Sequence, residues 1–100
     1  MLKRETLKIK VLRSELISCL DLPKLEGEEI VFGRYTTHTL SIGLTVWDSK
    51  CFLHSFDRLP DGTDARYDRD QLLKDAKKSR GKYFTLKVAG MVDQGYRSNI

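Results

Sequence analysis

The chain has 100 residues, of which 40% are hydrophobic and 32% are charged, with a net charge of +4. This length fits one compact domain over residues 1–100, and the spread of aromatic and β-branched residues argues against disorder. No apolar run is long enough to cross a membrane, and the first residues lack the apolar core of a signal peptide, which together predict a cytoplasmic protein without a membrane partner.

The first predicted element is a half-buried strand. Leu7, Ile9 and Val11 alternate with polar residues, which is the period of a strand that packs one face against a core. Residues 14–22 then carry apolar side chains at helical spacing over a short stretch. For this segment a helical turn and an irregular loop are both open.

Three further strands are predicted in the middle of the chain. Residues 29–38 are rich in β-forming side chains, and Gly33 within them marks a bulge or a close approach of another backbone. Residues 39–47 alternate most regularly. Residues 51–59 form the partner strand of a hairpin that turns at 48–50.

The main predicted helix spans about residues 68–80 and is followed by a final strand at 82–92. Asp68 can cap the helix, Gln71 stands at the position of a capping box, and Gly81 can supply the left-handed stop. The resulting element order predicts an α+β domain. Its architecture is a small curved, mostly antiparallel five-stranded sheet or partly open barrel, with one main helix before the last strand.

The central hairpin allows two registers, and a one-residue slip moves every side chain to the opposite face. A two-residue loop at Asp48–Ser49 would display Phe52 outside, whereas a three-residue loop at 48–50 would bury Phe52 with Phe56. Burying one large apolar side chain is worth about 1.5–3 kcal/mol, and Asp-Ser is a poor pair for a two-residue turn. These arguments favour the three-residue loop.

The favoured register leaves Trp47 and Leu53 on the outer face of the sheet and packs the ring of His54 with the core. Exposed large apolar side chains on a sheet are typical of a surface that binds a protein. In this interpretation Trp47 and Leu53 form the interface with a protein partner or with a second copy of the chain.

Basic residues concentrate near the two ends of the chain. Residues 1–13 carry five bases and one acid, residues 66–87 carry eight bases and three acids, and the segment 14–65 is acidic. If the first and last strands pair, their cations form one surface suited to a polyanion, although charge pairing between copies or simple solubility also explains them. Either Arg34 or Tyr35 is expected to join this surface. The predicted nucleic-acid-binding residues are Lys8, Lys10, Lys74, Lys77, Lys78, Arg80, Tyr83 and Lys87.

Catalytic chemistry has weaker support in the sequence. His38 and His54 could act as acid and base in metal-independent RNA cleavage. Cys19 and Cys51 match no zinc spacing and are expected to be free thiols in the core. The acidic stretch 57–70 misses the spacing of a calcium loop, and phosphate-binding glycine motifs do not occur, so no metal, cofactor or catalytic residue is assigned.

The sequence therefore predicts a non-enzymatic small binding domain. Its first expected partner is nucleic acid, bound as a single strand or through its backbone by the basic first and last strands and the helix. The first alternative is a homo-oligomeric or protein-interaction module. The second alternative is a ribonuclease that uses the two histidines.

Overall fold

The computed structural model of the chain describes residues 2–21, 26–35, 38–55 and 66–93. Its elements in chain order are β1 (Leu2–Leu12), α1 (Arg13–Leu20), β2 (Gly27–Tyr35), β3 (His38–Trp47), β4 (Lys50–Ser55), β5 (Arg66–Asp68), α2 (Arg69–Lys78) and β6 (Tyr83–Asp93). Within these ranges the α+β class and the curled antiparallel sheet are confirmed, but there are six strands and two helices where five strands and one main helix were predicted. The three-residue β5 is too short for an alternating pattern to reveal it.

The strands form one sheet in the order β5-β4-β3-β2-β1-β6. β1 and β6 pair along their whole length, which meets the condition on which the sequence places the cations of the first and last strands on one surface. β2 pairs with β3 along its whole length, but with β1 only through its last residues, Gly33 to Tyr35. The pairing with β1 extends no further because β1 ends at Leu12, where α1 begins.

One face of the sheet, called here the inner face, holds the core. The predicted alternation of β1 and β3 is confirmed, because their apolar side chains are buried on this face, and β6 contributes to it as well. The buried strand residues that form the inner face are Leu7, Ile9, Val11, Val31, Leu40, Ile42, Leu44, Val46, Cys51, Leu53, Leu86 and Val88. The opposite side of the sheet is called the outer face.

Both helices add to the core on the inner side. Residues 13–20 are helical, which settles the choice left open for 14–22, and Leu16 and Leu20 of α1 are fully buried. α2 contributes Leu72 and Ala76. Its cap is Asp68 as predicted, since the Asp68 carboxylate accepts a hydrogen bond from the Gln71 backbone N–H at 2.9 Å.

Each helix also binds the end of the other through an arginine. Arg13, the first residue of α1, donates from Nε to the Ala76 carbonyl at 2.8 Å and from a terminal nitrogen to the Lys77 carbonyl at 3.1 Å. Arg69, the first residue of α2, donates to the Leu20 carbonyl at 2.6 Å. These carbonyls lie in the last turns of the helices, where a carbonyl oxygen has no N–H donor within its own helix.

Gly33 occupies a place where the inner face is too tight for a side chain. A Cβ at this position would lie 2.9 Å from a methyl of Val11, 3.0 Å from one of Ile9 and 3.2 Å from Cγ1 of Ile42. The close approach at Gly33 is therefore made by side chains and not by another backbone as predicted, and the register of β2 runs through Gly33 without a bulge. It lets β2 pair with β1 and β3 across a densely packed part of the core.

The predicted register of the central hairpin is wrong. The turn has two residues, Asp48 and Ser49, and Trp47 pairs with Lys50. Both turn residues have positive φ, 50° and 65°, as a type I′ turn requires, so the twist of the turn matches that of the strands. The Ser49 carbonyl also accepts the first backbone N–H of α2, from Arg69, at 3.1 Å.

This register reverses several predicted orientations on β4. Leu53 is 6% exposed and belongs to the core, so its predicted outer-face position is wrong. Phe52 lies on the outer face instead of the core. In the observed register Cys51 and Leu53 fill the inner face, so the core is packed without the ring of Phe52. The expectation from burial considered only the phenylalanines. Phe56 lies outside the described residues.

In the described ranges, no helix is long and apolar enough to cross a membrane.

Candidate functional site

The outer face carries the exposed large hydrophobic side chains of the described residues. They are Ile30, Phe32, Trp47, Phe52 and Tyr83. Their positions follow from strand alternation. Each of these residues either neighbours an inward-facing residue in the sequence or pairs across the strands with another outward-facing residue. Both described helices pack on the inner face, so neither covers these five side chains.

A groove of about 440 Å³ opens on the outer face where β1, β2 and β6 meet. A smaller notch of about 240 Å³ adjoins it, and the two share Lys10 and Arg34. We call the two together the basic groove. Its lining residues are Lys8, Lys10, Leu12, Phe32, Gly33, Arg34, Thr39, Lys82, Tyr83 and Thr85.

Cations surround an aromatic ring in the basic groove. The ammonium of Lys10 lies 5.4 Å from the centre of the Tyr83 ring, and that of Lys82 lies 5.7 Å from it. Tyr83 is 48% exposed and Phe32 is 57% exposed, so both rings are available to a ligand. The lining residues include no carboxylate. The groove therefore offers positive charge and flat apolar surface together.

Like charges face each other across the strands at this site. Lys8 pairs directly with Lys87 between β1 and β6, and Lys10 pairs directly with Arg34 between β1 and β2. Cross-strand pairs of like charge destabilise a sheet, whereas opposite charges would stabilise it by a few tenths of a kcal/mol to about 1 kcal/mol. The arrangement is therefore unfavourable for folding alone, and a bound anion would relieve it.

The structure brings together half of the predicted nucleic-acid-binding residues. Lys8, Lys10, Tyr83 and Lys87 share the outer face. The remaining predicted residues lie elsewhere: Lys74, Lys77 and Lys78 are on α2, in the layer that covers the inner face, and Arg80 is in the connection from α2 to β6. Of these, Lys77 forms an ion pair of 3.4 Å with Asp21.

Sequence reasoning missed several residues of the basic groove. Arg34, and not Tyr35, joins the cations, because Tyr35 is half-buried against the core. Phe32 and Lys82 were not singled out. Because Val31 is a core residue, alternation alone places Phe32 and Arg34 on the outer face. A bulge at Gly33 would instead turn one of these two side chains to the inner face. The pairing of β1 with β2 and β3 removes that ambiguity.

His54 lies on the outer face between the basic groove and the hairpin turn. Its Nε2 is 3.0 Å from a carboxylate oxygen of Glu28 and 3.2 Å from the Thr45 hydroxyl. The ring lies over Gly43, where a Cβ would come within 2.7 Å of Nε2. Gly43 thus provides the space in which the imidazole reaches across β3 to β2.

The histidine pair proposed for RNA cleavage is not assembled. His54 pairs across the strands with Gly43, which is five residues along β3 from His38. At about 3.4 Å per residue, their backbones are roughly 17 Å apart along the sheet. One imidazole cannot therefore act as acid while the other acts as base on the same phosphate.

The cysteines have the environment of core thiols. Cys51 is fully buried, and burial raises the pKa of its thiol to about 11, so the reactive thiolate is scarce near neutral pH. Burial, and then Glu29 and Glu15, raise the pKa of Cys19. Both cysteines are free, as predicted. Among the described residues, no group of three or more His, Cys, Asp or Glu side chains could hold a metal ion.

No protein-family model, no curated protein and no solved structure matches this chain. The geometry of the outer face is therefore the basis on which a function is assigned.

Proposed function

We propose that the outer face binds single-stranded nucleic acid, with the basic groove as the primary site. The observation that carries this proposal is the pairing of Lys8 with Lys87 and of Lys10 with Arg34 beside two exposed rings. Such cations suit a chain of phosphates, and the rings of Tyr83 and Phe32 suit unpaired bases, which can stack on an aromatic side chain. Bases inside a duplex are already stacked and are not free to do this.

The proposal uses the strand residues and not the helix residues of the sequence prediction. The outer-face set is Lys8, Lys10, Arg34, Lys82, Tyr83, Lys87 and Phe32. The cations of α2 lie in the layer on the other side of the sheet, so a ligand seated in the basic groove would not reach them. They serve as a matched control with the same charge.

The test measures binding of a fluorescent homopyrimidine strand of about 15 nucleotides by anisotropy, from about 50 to 200 mM salt. Four phosphate contacts to a single strand give a slope of about −3 in the plot of log affinity against log salt. The double variant Lys10→Ala/Arg34→Ala should lose about half of that slope. The control Lys74→Ala/Lys78→Ala should keep both the slope and the affinity.

Tyr83 separates stacking from charge in the same assay. Tyr83→Ala should weaken binding at least about fivefold without changing the salt slope, and Tyr83→Phe should retain wild-type affinity, because stacking on one ring is worth about 1–3 kcal/mol. Absence of any salt-dependent binding would refute the proposal. Loss of binding in the α2 control alone would move the site to the helix, and equal binding of a duplex would remove the role of the rings.

The second candidate function is a protein-interaction or self-association module on the outer face. Trp47 favours it, because its side chain is 67% exposed, the largest exposure among the large hydrophobic residues described. With Leu53 in the core, the interface would use Phe52 beside Trp47. Light scattering across a concentration series tests it, and a strict monomer with no change on Trp47→Ala would count against self-association.

A further inference from the structure

The hairpin end of the outer face shares one feature with the basic groove, exposed rings beside basic side chains. Trp47 pairs across the strands with Lys50, and Phe52 pairs with Arg66. Phe52 also faces Thr45, which is two residues from Trp47, so Phe52 and Trp47 occupy diagonal positions whose backbones lie about 7–8 Å apart. We call Trp47, Lys50, Phe52 and Arg66 the hairpin station.

The core does not need these rings. The inner face of the same hairpin is filled by Val46, Cys51 and Leu53, all of which are buried. Trp47 and Phe52 therefore leave a large apolar area in water, where its burial would contribute about 25 cal/mol per Å². A contiguous surface of this kind on a small domain is typical of a binding site.

The acidic groups around the hairpin station are few and partly engaged. Asp68 pairs across the strands with Lys50, and its carboxylate caps α2 by accepting from Gln71. Asp48 is exposed in the turn itself. Lys50 and Arg66 are thus matched in charge by these two carboxylates, so the hairpin station adds two rings on which bases can stack and no net positive charge.

Exposed and half-exposed side chains connect the hairpin station to the basic groove. Phe32 lines the groove, and Ile30 lies two residues before it on the same face of β2. Half-exposed His54 lies between Ile30 and the station, with its ring over Gly43 and its Nε2 3.0 Å from the carboxylate of Glu28. At about 4.8 Å between strands and 3.4 Å per residue, the path from Tyr83 to the station is roughly 25 Å along the sheet.

We propose that one single strand of nucleic acid crosses the whole outer face, stacking a base at the basic groove and a second base at the hairpin station. This inference rests on the proposed function and adds the path and the second contact. The occupant is assigned from continuity with the basic groove and from the alternation of cations and rings at both ends. A short oligonucleotide fills the groove alone, whereas a longer one reaches both.

The experiment compares homopyrimidine strands of about 4 and about 12 nucleotides on the unmodified protein and on Trp47→Ala/Phe52→Ala. The unmodified protein should bind the long strand at least about tenfold more tightly than the short one, beyond the roughly ninefold positional factor that arises because a 4-nucleotide site fits at several positions on a 12-nucleotide strand. The double variant should lose that gain and bind the short strand normally. Trp47→Phe should restore most of the gain, because a ring is again present for stacking.

The fluorescence of the unmodified protein gives an independent readout, because Trp47 is its single tryptophan. The long strand should quench this fluorescence at saturation, and the short strand should leave it unchanged. Quenching does not depend on whether a variant folds. A gain no larger than the positional factor, with unchanged fluorescence, would overturn the inference while leaving the proposed function intact.

Two further outcomes separate the inference from its alternatives. If neither strand binds, the proposed function itself fails, and the inference fails with it. If the protein is a dimer that Trp47→Ala dissociates, and the long strand gains nothing over the short one, the hairpin station belongs to a second copy of the chain. Light scattering of the same samples identifies that case.

Discussion

The two faces of the sheet follow the same alternation but carry opposite chemistry. The inner face holds aliphatic side chains and one thiol, and no polar or charged side chain is buried among the described residues. The outer face holds exposed rings and directly opposed cations, such as Lys8 facing Lys87. Packing explains the buried side chains of the inner face. It does not explain the opposed cations of the outer face, which is why the proposed function uses that face.

The largest expected effect is a difference in the free energy of unfolding between variants of the inner face and variants of the outer face. Leu44→Ala on the inner face should lower the free energy of unfolding by about 2–5 kcal/mol, because it opens a cavity in a packed core. Phe32→Ala on the outer face should change it by less than about 1 kcal/mol, since Phe32 is 57% exposed. Urea unfolding of both variants measures the difference. Equal losses would mean that the outer rings are part of the core.

A smaller effect contrasts two glycines, one on each face. Gly33→Ala should destabilise the protein by about 1–3 kcal/mol, because its Cβ would press on the methyls of Val11 and Ile9 inside a rigid core. Gly43→Ala should cost less, because the Cβ meets only the half-exposed ring of His54, which can swing into solvent. Thermal unfolding of both variants provides the measurement.

The double variant Gly43→Ala/His54→Ala is the control for the outer glycine. With the ring removed, alanine at 43 should be neutral or stabilising by about 0.5–1 kcal/mol relative to His54→Ala alone, because it reduces the freedom of the unfolded chain. A penalty that persists without the ring would show that the backbone, and not His54, requires glycine at this position.

The smallest expected effect concerns the turn that decides which β4 side chains face inward. Ser49→Gly should stabilise the protein by about 0.5–1 kcal/mol, because Ser49 has a φ of 65°, which glycine adopts without steric cost. Ser18→Gly, at an exposed position inside α1, is the matched control and should destabilise by about 0.5 kcal/mol. Chemical unfolding measures both, and a loss at Ser49 would contradict the left-handed turn.

Alternation made much of this fold predictable. The inward residues of β1 and β3 and the cap at Asp68 were read from the pattern, because burial and capping each depend on a few neighbouring residues. The register of the hairpin depended on long-range packing, since the Ser49 carbonyl is held by the start of α2. Short-range turn preferences carry no information on that contact.

The candidate site was predictable only where two strands with clear alternation meet. Lys8 and Lys87 were found because β1 and β6 have unambiguous faces and do pair. Lys74 and Lys78 were included because charge along a sequence does not reveal which layer a helix occupies. Phe32 was missed, because the glycine next to it left its face undecided.

The exchange of arginines between the helices has a consequence for cooperativity. Arg13 starts α1 and holds carbonyls in the last turn of α2, while Arg69 starts α2 and holds the last carbonyl of α1. Fraying of either helix from its end removes an anchor from the beginning of the other. The two short helices are thereby joined into a single unit of local unfolding. This unit covers the inner face of the sheet.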